Sequence, residues 1–216
     1  MFHVKEKNSI DFVGKKYVPA CTTVGSGNIF VGKAKVRFVK EDVQTLEVIA
    51  QGANAYEGSV MISNQRFGEA ISLVSEATNT DVITVTGYDY LGQRMVEKIT
   101  LASASEVSGK KAFKAIVAIK GTTAQAKKVS LKTNGKMGLA FTAVGKDFVV
   151  KNGVADNTAA VTAGVFTQDA TSADPRGLLS IAHAVTGDVI ECTYNTTDYV
   201  KPDGHGGLFG VPHFAE

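Results

Sequence analysis

Tryptophan is absent from this chain, cysteine stands only at positions 21 and 192, and proline occurs four times in 216 residues. Two cysteines so far apart, with no C-x-x-C spacing, exclude a zinc ribbon, a redox dithiol and a disulfide scaffold, leaving only a single long-range bridge open. No apolar run approaches the roughly eighteen residues of a membrane-spanning helix, and Met1–Asn8 leads into no signal-like apolar stretch, so a soluble subunit is expected. Net charge is also scarce, at +2, which removes bulk polyelectrolyte binding as an explanation of function. What remains is a chain with 44% hydrophobic and 20% charged residues, the profile of a folded globular protein. Its 22 glycines suit many tight turns. At this length the fold buries roughly 70% of its extended surface, enough for a core without staples.

Near-neutrality conceals an uneven distribution. Residues 1–109 have a net charge of −1, residues 110–151 carry ten lysines against Asp147 for a net +9, and residues 152–216 have a net −6. A basic middle and an acidic end suit either a solvated face or complementary contacts between subunits. Nucleic acid is the weaker partner, because arginine is missing from the basic segment and no aromatics are interleaved for base stacking.

The local patterns are those of strands. Val82–Tyr88 is β-branched and aromatic, and Met95–Leu101 follows Asp89-Tyr90-Leu91-Gly92, which predicts a hairpin with Ile99 and Leu101 on one face and Lys98 and Thr100 on the other. Phe113, Ala115, Val117 and Ile119 alternate with Lys114 and Lys120, broken only by Ile116, and predict one further strand. Asn134-Gly135 and Asn152-Gly153 each favour the positive φ of a type I′ turn, so each predicts a hairpin. Asp174-Pro175-Arg176-Gly177 fits a type I turn, and Val189–Tyr194 reads as a late strand. Val36 and Phe38 against Lys35 and Arg37 place strands near the start. Only Asn64–Ala77 hints at a short helix, and Gly68 with Ile71 and Leu73 suits a strand equally well. The expected fold is all-β, with short antiparallel strands joined by tight turns in a sandwich or barrel and with extended termini. A soft boundary near Ala140–Gly145, or among residues 152–164, divides it into residues 1–140 and a smaller β-rich region, 141–216, which together also fit one domain.

Chemical motifs are few. Gly27–Ala34 fits the G-x-x-x-x-G-K spacing of a phosphate loop, but Ala34 replaces the magnesium-binding Ser or Thr and the following residues alternate as a strand. His205 and His213 with Asp203 lie in a glycine-rich tail whose spacing matches no rigid ligand set; Phe209, Val211 and Phe214 read better as apolar anchors for a core or a neighbour. No serine sits in a nucleophile elbow, neither cysteine has a nearby histidine, and Asp81 and Asp89 read as strand-start and turn residues. No metal, cofactor or catalytic group is expected.

One run of strands has a wider echo. Ile83-Thr84-Val85-Thr86-Gly87-Tyr88-Asp89-Tyr90-Leu91-Gly92, Val96-Glu97-Lys98-Ile99-Thr100-Leu101 and Lys111–Ile119 resemble the I-T-V-T-G-x-D-x-x-G, E-x-I-T and K-x-F-K-x-I pattern of tailed-bacteriophage virion proteins. Asp174-Pro175-Arg176-Gly177 and the strand after it are similar to the C-terminal part of small head-decoration (cement) proteins. The resemblance implies a non-enzymatic homo-oligomer, a trimer where sites are threefold, whose partners are the major capsid protein and itself and whose place is the virion. A neck or tail component, or a host-surface carbohydrate-binding module using Tyr88 and Tyr90, are the alternative expectations. Candidate contact residues are Lys110, Lys111, Lys114, Lys127 and Lys128 in the basic segment and Phe209, Val211 and Phe214 in the tail.

Overall fold

A computed structural model describes residues 11–18, 29–165, 171–181 and 184–197. Within them fifteen strands form three antiparallel sheets, and no helix occurs among the described residues. The first sheet runs in the order β1 (Asp11–Val18), β2 (Ile29–Val39), β15 (Val189–Thr197), β11 (Ala143–Lys151) and β12 (Val154–Ala155). The second runs β13 (Ala160–Thr162), β14 (Leu178–Ser180), β10 (Val129–Gly138), β5 (Glu69–Ser75) and β8 (Val107–Phe113), with β3 (Thr45–Ile49) also paired to β10. The third runs β4 (Met61–Ile62), β9 (Ala115–Gly121), β6 (Val82–Tyr88) and β7 (Arg94–Thr100).

Two apolar cores follow from period-two alternation. In β2, Ala34, Val36 and Phe38 turn inward and meet Ile190, Cys192 and Tyr194 of β15. The second core lies between the second and third sheets, where Ile71, Leu73, Val129 and Leu131 face Ile83, Val85, Met95 and Ile119. Each fully buried aliphatic contributes roughly 1.5–3 kcal/mol. β10 spans both cores, giving Val129 and Leu131 to one and Met137 to the other. β2 pairs with β15 from Val31↔Thr197 to Val39↔Val189, so the first sheet takes strands from either side of position 140.

Several local expectations hold. β6 and β7 form the hairpin, in register from Val82↔Thr100 to Tyr88↔Arg94. Asn152-Gly153 turns β11 into β12 with φ of 51° and 82°, as a type I′ turn demands. Gly177 N–H donates to the Asp174 carbonyl at 2.9 Å, closing the expected turn. Residues 69–75 are a strand, not a helix.

Two expectations are corrected. Asn134-Gly135 makes no hairpin: β10 runs straight through it, advancing from Thr133↔Ile71 to Met137↔Glu69 and so gaining two residues on β5. Gly135 takes the positive φ, 72°, inside a bulge. The bulge is pinned from β5, because Asn134 Nδ2 donates to the Ile71 carbonyl at 3.0 Å and Gly135 N–H donates to Glu69 Oε1 at 3.0 Å. The run Phe113–Ile119 is likewise two strands, β8 and β9, broken at Lys114. A register shift beside Val117 then moves Ile116 inward with Ile119 and leaves Val117 exposed.

Candidate functional site: a buried charge seam and an acidic groove

β7 and β8 each end their sheet, yet side chains close the corner between them. Glu97 sits at a core position of β7, between Met95 and Ile99 in the alternation, and its Oε1 accepts the Lys110 N–H at 2.5 Å. Lys111 Nζ returns the link by donating to the Val96 carbonyl at 2.9 Å. The Asp174 turn fastens to the same strand: Asp174 N–H donates to the Lys110 carbonyl at 2.8 Å, and Asp174 Oδ2 accepts the Ala112 N–H at 2.9 Å. Side chains thus take up edge groups of β8 that would otherwise template another strand.

Asp89 and Arg176 extend the seam. Asp89 shapes its own turn by accepting the Leu91 and Gln93 N–H groups at 2.9 and 2.8 Å through Oδ1, while Oδ2 takes Arg176 Nη2 at 3.1 Å. The Arg176 guanidinium lies 4.9 Å from the centre of the Tyr90 ring, and the Phe67 and Tyr90 rings meet edge-on with their centres 4.9 Å apart. Tyr90 Oη donates to the Ala140 carbonyl at 2.7 Å, which ties this half-buried tyrosine into the packing beside Phe67 and Arg176. Asp89, Glu97, Lys111, Asp174 and Arg176 are between 1% and 4% exposed, which seals them from a substrate and makes the seam a fastening. Burial pushes the Glu97 carboxyl up to about 7, against the pull of the Lys110 N–H and the Lys111 charge, and its Oε2 meets no donor.

Among the described residues, a groove of about 280 Å³ opens between β3 and β4. Both strands are edges, each paired on one side only. Leu46, Met61 and Ile62 supply its apolar lining, and Glu41, Asp42 and Glu69 make one end acidic. Asn64 Nδ2 holds Glu41 Oε2 at 3.0 Å. Burial raises the Glu69 carboxyl above its ordinary value, offset in part by the Gly135 N–H and Lys40. Lys114 Nζ donates to the Ser63 and Gln65 carbonyls at 2.6 and 3.0 Å, and burial lowers its pKa while Glu41 opposes that shift.

The structure does not gather the five predicted lysines into a surface patch. Lys111 is corrected outright: at 1% exposure it is a core residue, because successive residues of a strand face opposite ways and Lys110 takes the outer position. Lys114 is held by backbone carbonyls, and Lys128 pairs with Glu76 at 2.8 Å and Glu47 at 3.8 Å. Lys132 and Lys151 pair with Glu106 and Asp188, so three of the ten lysines in the +9 segment have acid partners elsewhere in the fold. Lys110 and Lys127 remain exposed. Phe209, Val211 and Phe214, with His205, His213 and Cys21, lie outside the described residues. Cys192 is a buried free thiol. Ile29–Lys33 of the phosphate-loop spacing lie in β2, where no helix begins. Among the described residues no group of three His, Cys, Asp or Glu side chains is placed to hold a metal, and no helix is long and apolar enough to cross a membrane.

Sequence reasoning missed the seam. The signal for Glu97 was present, as an acid in phase with Met95 and Ile99, whereas the partnership of Asp89 with Arg176 spans 87 positions and has no local trace. No family model, curated protein or solved structure matches this chain.

Proposed function

We propose that the chain is a non-enzymatic structural subunit of a tailed-bacteriophage virion, a head decoration (cement) protein that binds the assembled shell and bridges neighbouring copies of the major capsid protein. The reading rests on the motif resemblance, whose residues fall on the consecutive strands β6, β7, β8 and β9. The observation that carries it in the fold is the β11–β12 hairpin, which exposes Val144, Phe148 and Val154. Exposed apolar side chains at a sheet edge suit contact with another protein. The subunit acts as a homo-oligomer, because several weak contacts held at high effective concentration give durable attachment. Cryo-electron microscopy of purified particles tests the reading: density for this fold on the outer head shell is expected, and its confinement to the neck or tail would assign it the alternative role. A Phe148→Asp variant should lose shell binding while keeping its fold; unimpaired binding would remove the hairpin from the interface.

A further inference from the structure

We propose that the outer face of the third sheet binds single-stranded nucleic acid, with Tyr88 stacking on a base while Arg94, Lys98 and Lys120 hold phosphates. The pairing of β9, β6 and β7 arranges these residues in rows across the face. Thr84 stands between Lys120 and Lys98 in one row and Tyr88 between Ala115 and Arg94 in another, with Thr86 in the row between them. Two strand spacings separate Lys98 from Lys120, about 10 Å, and the four residues from Arg94 to Lys98 set the outer rows about 13 Å apart. Tyr88 and Arg94 are direct cross-strand neighbours, about 5 Å apart. Alternation keeps acids off the face: β6 and β9 contain none, and Glu97, the acid of β7, is turned into the core.

Charge points to an anionic partner from outside the chain. Lys35 and Arg37 pair with Glu191, Lys128 with Glu47 and Glu76, and Lys132 with Glu106, whereas Arg94, Lys98 and Lys120 make no ion pair or side-chain hydrogen bond among the described residues. The same pairings engage acids that a second copy would have to present to this face. Tyr88 selects among polyanions. Its ring is 40% exposed, and among the described residues it packs against no other ring and its hydroxyl makes no hydrogen bond. An acidic protein surface would use the cations and leave the ring idle, whereas a base stacks on the ring and the neighbouring guanidinium adds to the stack. Bases are free to stack this way in a single strand, while a duplex keeps them paired and is read through its grooves. The basic segment 110–151 contains neither arginine nor an aromatic platform, but folding sets its Lys120 on one face with Arg94 and Tyr88 from outside it. The β11–β12 hairpin takes no part, so the inference stands apart from the virion reading.

Fluorescence anisotropy of a labelled oligothymidylate of about fifteen nucleotides, titrated with the full chain, tests this. Binding should saturate, and three phosphate contacts give a slope of about −2 in log K against log salt, a loss of about twentyfold between about 50 and 200 mM. Tyr88→Ala should weaken binding about fivefold or more. Lys98→Gln/Lys120→Gln should flatten the salt slope by about 1.4. Both variants change only exposed positions, and far-UV circular dichroism verifies that they keep the fold. Absence of saturable binding at about 50 mM salt, or binding unaltered in both variants, would overturn the proposal. Equal competition by poly-L-glutamate with no effect of Tyr88→Ala would also overturn it, by giving the face to an acidic protein surface, as would a preference for a duplex of the same length.

Discussion

Arg176→Met removes one half of a buried ion pair while keeping most of the side-chain volume, and so measures what the seam contributes. Arg176 and Asp89 are each 3% exposed at the side chain, with 3.1 Å between Nη2 and Oδ2. Removing one partner of a buried pair costs about 3–5 kcal/mol, because the other charge stays buried with one counter-charge fewer. Asp89 keeps its bonds from the Leu91 and Gln93 N–H groups, which places the loss at the lower end of that range, and the lost contact with the Tyr90 ring adds to it. With a urea dependence of about 2 kcal/mol per molar, a loss of about 3 kcal/mol lowers the unfolding midpoint by about 1.5 M. The double variant Asp89→Asn/Arg176→Met also removes the buried carboxylate charge and should recover part of the loss. Urea titration followed by far-UV circular dichroism reads all three proteins. A single variant within about 0.3 M of the parent midpoint would refute the reasoning, since it would mean that Asp89 is answered elsewhere or reached by water.

Other consequences are equally direct. Because the folded Glu97 carboxyl is raised to about 7 from 4.5, the native state holds this proton more tightly than the unfolded chain does. Stability from this group is therefore present below about 4.5 and is lost as pH rises through about 7; Glu97→Gln should flatten that part of a stability–pH profile, and an unchanged slope would contradict the assignment. Gly135→Val forces a β-branched residue to φ 72° in the β10 bulge and should cost about 1–3 kcal/mol in urea unfolding; a neutral result would mean the bulge relaxes freely. Cys192 is fully buried, with burial raising its thiol to about 12, so it should resist iodoacetamide until the protein unfolds, as peptide mapping would show; rapid native labelling would contradict its place in the core.

What was legible in the sequence depended on distance along the chain. The β6–β7 hairpin, the Asn152-Gly153 turn and the Asp174–Gly177 turn are each set by alternation or by a few adjacent residues, and each was readable. Asn134-Gly135 uses the same dipeptide to a different end, because Ile71 and Glu69 on β5 bind it from the side and keep β10 running. Nothing near residue 134 marks those partners. The pairing of β2 with β15 was illegible for the same reason, as it joins strands from opposite ends of the chain. Lys111 shows a third kind of limit. Residue type suggested a surface charge, while strand geometry requires one of two adjacent lysines to face inward, and the Val96 carbonyl makes that position tolerable.

The seam and the β11–β12 hairpin together describe a protein whose buried charges fasten its sheets and whose sheet edge exposes Val144, Phe148 and Val154. That account, joined to the virion resemblance, is tested most directly by the stoichiometry of this chain in purified particles, measured by quantitative mass spectrometry against the major capsid protein. The account predicts a copy number comparable with that of the major capsid protein, as a symmetric decoration of the shell requires. A count limited to a single ring, or its absence from the particle, would contradict it.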